Sequence, residues 1–409
     1  MHQVSQVPFI EMLRTRSLVV ACVINASMGI IYVWSLFLFP LEQFLNISRS
    51  ALSLVPAFAL ASFTVGMVVH DRLLRKMNFR YFAVVSFGLA GGGHLLFALG
   101  GGFGSLLIGY GFFFGFGAGL GYGLALALVT RMPTSVRGTA MGFVMAAFAI
   151  SGVGLSSLLA TPIEQFDPTR SFMIIGIIIV ILGVGVASQL PESYNLHSMT
   201  AMVPTRQSTF KELVDLRFLK LGLIFFFICY TGLTMVAHAT GIVSSRGLSP
   251  TSVGLAPGIF TFGYIIGSAT GGRLVEAFSG RTTLVLSNVL ASVGLIILLL
   301  PPSPFLLVGA LVIGVVFGGS ASLMPVLVGE QYGVDRIGEV YGKLMIAYGT
   351  AGLIAPWVSG QFFSATGSYT LSITIGIAMC VAGILLGLSL KKYQSAEPTD
   401  KHRAAHLTE

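Results

Sequence analysis

Two stretches of the chain, residues 138–152 and 338–352, repeat one another at a distance of 200 residues. They read GTAMGFVMAAFAISG and GEVYGKLMIAYGTAG, and they share three glycines, one methionine and one alanine at matching positions. Each copy lies in a long apolar run that follows a basic, glycine-containing turn. An internal repeat of this kind predicts two matching halves, each built from the same succession of helices.

The apolar runs themselves place the chain in a membrane. Hydrophobic residues make up 55% of the 409 residues and charged residues only 9%, which is more apolar surface than a soluble core of this size can bury. Many runs reach the roughly 20 residues that a helix needs to cross a bilayer, and they lack the alternation of a membrane β-barrel. The sequence therefore predicts an all-α membrane protein with twelve transmembrane helices in two six-helix halves.

The basic residues predict the orientation. The net charge is +8, but the positions of the charges argue against a nucleic-acid partner. With twelve helices and a cytoplasmic N-terminus, 20 of the 23 Lys and Arg residues fall on the cytoplasmic side, and only Arg49, Arg170 and Arg246 fall outside. This is the positive-inside pattern. We expect a multi-pass protein of the cell inner membrane with both termini in the cytoplasm.

One long polar stretch divides the chain. We expect an N-terminal half at residues 1–190, a cytoplasmic linker at 191–220, a C-terminal half at 221–392 and a cytoplasmic tail at 393–409. Within the linker, Leu213, Leu216 and Leu219 follow helical spacing and predict a short surface helix.

Glycine and cysteine in the apolar runs are interpreted as packing residues. The fourth run contains GFGAGLGYG, with a glycine at every second position from 115 to 123. No strand precedes these glycines, so a dinucleotide-binding loop is excluded, and close approach of neighbouring helices is favoured. Cys22, Cys229 and Cys380 lie inside apolar runs, where a small apolar side chain suits packing.

Several segments resemble the major facilitator superfamily, and the resemblance extends over the whole chain. The superfamily loop between helices 2 and 3 usually reads Gly-x-x-x-Asp-Arg-x-Gly-Arg-Arg. Residues 70–76, HDRLLRK, keep the Asp-Arg pair and two basic residues, but Leu74 replaces the second glycine and Gly66 lies one position early. Further pieces resemble the oxalate/formate antiporter and monocarboxylate transporter branch: YVWSLFLFPL, GLGYG, VRGTAMG, LVDLRFLKLG and AYGTAGLIAP.

The resemblance implies a substrate cavity at mid-membrane, lined chiefly by helices 1, 4, 7 and 10 together with 2, 5, 8 and 11. Polar residues inside a membrane are costly, so those in these helices are candidates for function. The candidate substrate-binding residues, matched to the antiporter pattern and to the internal repeat, are Asn25, Tyr32, Tyr122, Phe148, Tyr264, Ser268, Met345 and Tyr348. Because Asn25 precedes Tyr32 by two helical turns, we expect these two side chains to share a face.

The resemblance also implies two cations that this chain lacks. Carboxylate-carrying relatives usually have an arginine midway along helix 8, and the antiporters have a lysine in helix 11; the matching positions hold Ser268 and Tyr348. Lys343 lies about one turn inside the end of helix 11 and is a candidate coupling or gate residue; its long side chain can reach the substrate or, alternatively, the membrane interface. His238, near the outer end of helix 7, is a candidate for proton coupling or an outer gate. His94, in the peripheral helix 3, is expected to pack or to face lipid.

Four charged residues lie at helix ends where members of the superfamily have gate residues, and the sequence allows two interpretations of them. They are Asp71, Arg72, Arg131 and Glu330. As gate residues they would cap and bridge helix ends at the mouth of the cavity; otherwise they keep the helix ends in contact with water.

The predicted function is secondary active transport of a small organic solute by alternating access. No His-Glu-x-x-His motif, aspartate pair or Ser-His arrangement at mid-membrane suggests a hydrolase, and no cofactor or metal is expected. The missing cations favour a neutral or weakly charged solute, aromatic or vitamin-like. A proton-coupled monocarboxylate symporter and an organic-anion antiporter stay open as alternatives. A channel or a scaffold would not need two matching halves. The duplication therefore favours a carrier in which one half moves against the other. We expect a monomer in a lipid bilayer, with a proton as the candidate coupling ion.

Overall fold

The structure, a computed structural model, describes residues 16–74, 76–129, 132, 140–150, 167–190, 215–333 and 337–390. Every regular element within these ranges is a helix, which confirms the predicted all-α fold. The first six helices are α1 (Arg16–Leu45), α2 (Arg49–Leu74), α3 (Phe79–Gly100), α4 (Phe103–Val129), α5 (Ala140–Ile150) and α6 (Pro168–Gln189). The second six are α7 (Leu216–Ser245), α8 (Pro250–Phe278), α9 (Gly280–Leu299), α10 (Leu306–Tyr332), α11 (Ile337–Thr366) and α12 (Thr370–Leu388).

Most of these helices can span a bilayer by length and composition. Among the described residues, ten candidate membrane spans occur, one in each helix except α5 and α11. The helix α11 has 30 residues but carries more polar side chains than its neighbours, and α5 is described over Ala140–Ile150. The described segments follow the predicted order of six helices in each half.

The start of α7 lies inside the range predicted for the linker. Asp215 caps this helix, because its carboxylate accepts a hydrogen bond from the backbone N–H of Phe218 at 2.7 Å. Leu216 and Leu219 therefore belong to α7 and not to a separate surface helix. The rest of the predicted linker and the tail lie outside the described residues.

Glycine contacts bring the helices of each half together. In the first half, Gly115 and Gly119 of α4 lie against the backbone of Ala59 and Phe63 in α2, and Gly117 lies against α3. A Cβ atom at any of these glycines would overlap backbone atoms of the neighbouring helix. The close packing predicted for this segment is confirmed.

The second half uses the same arrangement between α8 and α10. Gly263 and Gly267 of α8 lie against the α10 backbone, and Gly318 of α10 lies against the α8 backbone at Tyr264. Since Phe63 and Tyr264 are held by these glycine contacts, helix packing also fixes the positions of two large aromatic side chains near the centre of the bundle.

The helix α1 is irregular at its midpoint. Residues Gly29–Val33 form a 3-10 turn between the α-helical segments Arg16–Met28 and Trp34–Leu45. A 3-10 stretch within a longer helix turns more tightly than an α-helix and often marks a hinge or a functional site. Tyr32 lies inside this turn.

The two halves meet along α2 and α11. We call the end of the bundle at which α2 begins the Arg49 end, and the opposite end, at which α1 begins, the Arg16 end. From mid-membrane to the Arg49 end, three glycines of α11 lie against side chains of α2: Gly349 against Thr64, Gly352 against Leu60 and Gly360 against Ser53. The halves are therefore closely packed over this part of their interface.

Candidate functional site

A cavity lies at the centre of the bundle between the two halves. Its side chains fill most of the space, and the free volume that remains is about 20 Å³, enough for one water molecule. Small-molecule sites usually have roughly 300–1,000 Å³, so the lining side chains must separate before a solute can bind. Each of α1, α2, α4, α5, α7, α8, α10 and α11 contributes to the lining, which consists of Tyr32, Phe63, Tyr122, Phe148, Phe225, Tyr264, Phe317, Ser320, Ala321, Tyr341, Met345 and Tyr348.

Aromatic rings form most of the cavity wall and contact one another across the two halves. The Tyr32 ring lies edge-on to Phe148, with centroids 5.1 Å apart, and edge-on to Tyr264 at 5.3 Å. Phe63 contacts Tyr348 of the other half at 5.8 Å. Centroid separations of this size are typical of stabilising aromatic pairs. Tyr32, on the 3-10 turn of α1, thus contacts aromatic rings of both halves.

The chemistry of the lining is aromatic and hydroxylic. Nine of the twelve lining residues are Phe or Tyr, and none of the twelve carries a formal charge. The Tyr122 hydroxyl donates a hydrogen bond to Sδ of Met145, a weak acceptor that a better one can replace. Such a wall can stack on a flat ring and donate hydrogen bonds to it, but it offers no ionic partner to a carboxylate.

Six of the eight predicted substrate-binding residues line this cavity. They are Tyr32, Tyr122, Phe148, Tyr264, Met345 and Tyr348. The remaining two, Asn25 and Ser268, lie elsewhere.

Asn25 lies outside the cavity lining. It is fully buried, and its amide donates to the backbone oxygen of Val144 in α5 at 2.9 Å. Tyr32 faces α5 as well, because its ring contacts Phe148, one helical turn from Val144. Asn25 joins α1 to α5 and does not line the cavity.

Ser268 lies one turn beyond the cavity. It is buried in α8, one turn after Tyr264, and its hydroxyl donates to the carbonyl of Ile265 in the same helix at 3.1 Å. Its backbone faces Gly142 of α5. A serine hydroxyl commonly bonds to its own helix in this way, which leaves it without the reach that an arginine would have at this position.

Half of the cavity lining is missing from the sequence-based assignment. The six additional residues are Phe63, Phe225, Phe317, Ser320, Ala321 and Tyr341. One signal could have found Tyr341, since Tyr341, Met345 and Tyr348 follow the spacing i, i+4, i+7 of one helix face. Phenylalanines such as Phe225 occur in ten of the twelve helices, so their spacing alone does not distinguish a cavity-facing position from a lipid-facing one.

The predicted gate and coupling residues lie away from the cavity. Asp71 and Arg72 lie in the last turn of α2, and Glu330 lies in the last turn of α10. All three are therefore at the Arg16 end of the bundle. Lys343, half-buried in α11, is not among the lining residues. Arg131 lies outside the described residues.

The two membrane histidines are buried in different surroundings. His94 donates a hydrogen bond from Nδ1 to the Ala90 carbonyl and packs against Tyr110, Phe114 and Phe172. His238 lies toward the Arg49 end of α7, bonded to residues of α11 and of the turn before α12. His94 is therefore packed among aromatic side chains of its own half, whereas His238 connects α7 to α11 and to the turn before α12.

Metal binding has no support in the described part of the chain. No three His, Cys, Asp or Glu side chains lie close enough there to hold an ion. Cys22, Cys229 and Cys380 are free thiols at buried or half-buried positions.

Comparison with known proteins agrees with this architecture. Residues 219–408 match the family described as Major Facilitator Superfamily. The chain is also 20% identical over 348 residues to the uncharacterized MFS-type transporter YhjX of Escherichia coli (strain K12), a match that covers 82% of this chain and 85% of that protein. Both matches are to membrane transporters of the major facilitator superfamily, and the all-helical fold with its candidate membrane spans agrees with that similarity.

Proposed function

We propose that this protein is a secondary active transporter that moves a small, neutral or weakly charged aromatic solute by alternating access. The proposed substrate site is the central cavity, with Tyr32, Tyr122 and Tyr348 as the principal hydrogen-bonding residues. A heteroaromatic, vitamin-like compound suits the site best, and a proton is the proposed co-substrate.

One observation carries the proposal: the cavity between the halves has nine aromatic rings and no charged side chain in its lining. A carboxylate taken from water into such a site would need a cation or several hydrogen bonds, and an unpaired buried ion costs at least several kcal/mol. A neutral ring system avoids this cost and gains stacking contacts with the wall. The tyrosine hydroxyls would then orient the solute.

The site's position supports a carrier mechanism. Its wall is shared by both halves, so a solute bound there contacts both, and a rocking motion of one half against the other would expose it to either end. The 3-10 turn that holds Tyr32 is a natural place for α1 to bend during that motion.

The proposed orientation places the Arg16 end in the cytoplasm. Three basic residues are expected outside, and all three lie at the Arg49 end: Arg49 and Arg170 at the starts of α2 and α6, and Arg246 just after α7. Since basic residues are rarer on the outer side of a membrane, this supports placing the Arg49 end outside. We predict that reporter fusions at Arg206 and Arg246 lie on opposite sides of the membrane. If both reporters were active on the same side, the proposed helix order between them would be wrong.

A ligand screen tests the substrate class. The purified protein in detergent is heated with matched pairs of neutral and anionic heteroaromatic compounds, such as nicotinamide beside nicotinate. A ligand that binds the folded state at 100 times its Kd stabilises the protein by about 2.7 kcal/mol, which is readily measured as a rise in Tm. We expect the stabilising compounds to be neutral members of these pairs. Stabilisation by carboxylates or by oxalate alone would contradict the proposed class.

A further inference from the structure

At the Arg49 end, one arginine connects the two halves. The guanidinium of Arg49 forms a bidentate ion pair with Glu42, with N–O distances of 2.6 and 2.7 Å. It also donates a hydrogen bond to the Tyr369 hydroxyl of the other half at 3.4 Å. The guanidinium carbon lies 4.7 Å from the ring centre of Phe39 and 4.3 Å from that of Phe363, so one aromatic ring from each half flanks the charge.

The hydrogen bonds continue from Arg49 to a buried histidine. Tyr369 bonds to Nδ1 of His238 at 3.1 Å, and Nε2 of His238 bonds to the Pro356 carbonyl at 2.8 Å. Because a carbonyl can only accept, Nε2 carries the proton, and Nδ1 of neutral His238 accepts from the Tyr369 hydroxyl. Burial raises the pKa of Tyr369 to about 12, so this hydroxyl keeps the proton that it donates.

Further contacts seal the halves around this chain of bonds. Thr240 of α7 donates to the Ser35 carbonyl of α1 at 2.9 Å. The Ser53 side chain of α2 lies against Gly360 of α11. His238 and Tyr369 are both almost fully buried. The path from the central cavity to the Arg49 end is therefore closed by contacts between the two halves.

We propose that Arg49, Tyr369 and His238 form a lock that closes the cavity at the Arg49 end, and that binding of a proton to His238 releases it. This inference rests on the proposed function, since it assigns the co-substrate proton a binding site and an effect. The lock is distinct from the substrate site, because none of its three residues lines the cavity.

The charges around His238 set the direction of the effect. Within the described residues, α12 and the turn before it present Tyr369, α2 presents Arg49, α1 presents Glu42, and α11 presents the Pro356 carbonyl. Glu42 is already engaged by Arg49, so a second positive charge at His238 finds no carboxylate partner. A proton on Nδ1 also removes the acceptor of the Tyr369 hydroxyl. His238 therefore binds a proton more weakly in the closed lock than in the open one. An exposed histidine has a pKa of about 6.5, so the open state should become more populated as the pH outside falls through that value.

A labelling experiment in intact cells tests the lock without needing a substrate. A reporter cysteine replaces Ser320 in the cavity, in a chain whose three native cysteines are alanine. A membrane-impermeant maleimide is added outside at pH 8 and at pH 5.5, and labelling is normalised to that of the denatured protein at the same pH. We expect slow labelling at pH 8 and roughly tenfold faster labelling at pH 5.5, because an exposed histidine with a pKa of about 6.5 is protonated by about ten to one at that pH.

Three variants of the reporter chain separate the parts of the lock. Tyr369→Phe removes the connecting hydroxyl and should label rapidly at both pH values. His238→Gln keeps a donor and an acceptor but cannot take up a proton, so it should label slowly at both. The control is Arg246→Gln, because Arg246 lies at the same end but bonds the Leu299 and Leu300 carbonyls within its own half; it should behave like the parent.

Two results would overturn the inference. Labelling of Tyr369→Phe no faster than that of Arg246→Gln would show that these bonds do not close the cavity, and Arg49→Gln repeats this test should the tyrosine variant fail to fold. A pH response that persists in His238→Gln would place the proton elsewhere. The labelling experiment uses no solute, so either result would leave the substrate class proposed from the ligand screen unaffected. Conversely, a screen in which no neutral compound binds would contradict the proposed substrate but not the lock.

Discussion

Replacing Gly318 with alanine should destabilise the protein by about 1–3 kcal/mol, the usual cost of forcing an extra methyl group into a packed interior. The Cβ atom of an alanine at this position would overlap the backbone of Tyr264 in α8. The helices α8 and α10 must then separate, which also moves the Tyr264 ring out of the cavity wall. We expect a lower Tm in detergent and a large loss of transport.

A matched control separates this clash from the general effect of replacing glycine in a helix. Gly258 lies in α8 with no neighbouring atom within 4 Å of the position that a Cβ would occupy. Gly258→Ala should leave Tm unchanged or raise it, because alanine favours a helix over glycine by roughly 1 kcal/mol. Equal destabilisation by Gly318→Ala and Gly258→Ala would contradict the tight α8–α10 contact.

The second large effect is expected at the tyrosines of the cavity. Tyr32→Phe, Tyr122→Phe and Tyr348→Phe each remove one hydroxyl and keep the ring, so the aromatic wall stays intact. Loss of a hydrogen bond worth about 0.5–1.5 kcal/mol should weaken solute binding by roughly two- to tenfold per site. The measurement is the concentration dependence of Tm with the best compound from the ligand screen.

Tyr230→Phe is the control for these three variants. Tyr230 is a buried tyrosine of α7 that faces α9 and α12 and does not line the central cavity. Its replacement should leave solute binding unchanged. If all three cavity variants bind and transport as well as Tyr230→Phe, the substrate site lies elsewhere in the bundle.

The fold follows from features that a sequence displays directly. The repeat at residues 138–152 and 338–352 and the apolar runs predict two six-helix halves, and regularly spaced glycines predict where α4 packs tightly. These features are local, since a run of about 20 apolar residues fixes a spanning helix whatever its neighbours are.

The candidate site was only partly predictable because the extent of the cavity along each helix depends on how the helices are assembled. Asn25 was assigned to the cavity from its spacing to Tyr32, but its amide bonds the Val144 carbonyl of α5 and it lies outside the lining. Ser268 was assigned to the cavity because relatives have an arginine at the matching position. A serine side chain is much shorter, and one turn beyond Tyr264 its hydroxyl bonds only the Ile265 carbonyl of its own helix. Tyr341 could have been found from its spacing to Met345.

The lock at the Arg49 end was beyond sequence reasoning for a different reason. Glu42 and Arg49 lie seven residues apart, but Arg49 and Tyr369 are separated by 320 residues. A single sequence indicates that His238 is buried in α7, yet it gives no sign of which groups surround it. Contacts between the halves emerge only when both are assembled.

Counterflow in proteoliposomes tests the central claim most directly. Vesicles containing the purified protein are loaded with an excess of an unlabelled neutral aromatic solute from the screen and diluted into a trace of the same solute in labelled form. A carrier whose single site is exposed alternately to the two sides should accumulate label transiently above its equilibrium level, and Tyr32→Phe should reduce this overshoot. A channel would bring the label to equilibrium without an overshoot, and that result would contradict alternating access through the aromatic cavity.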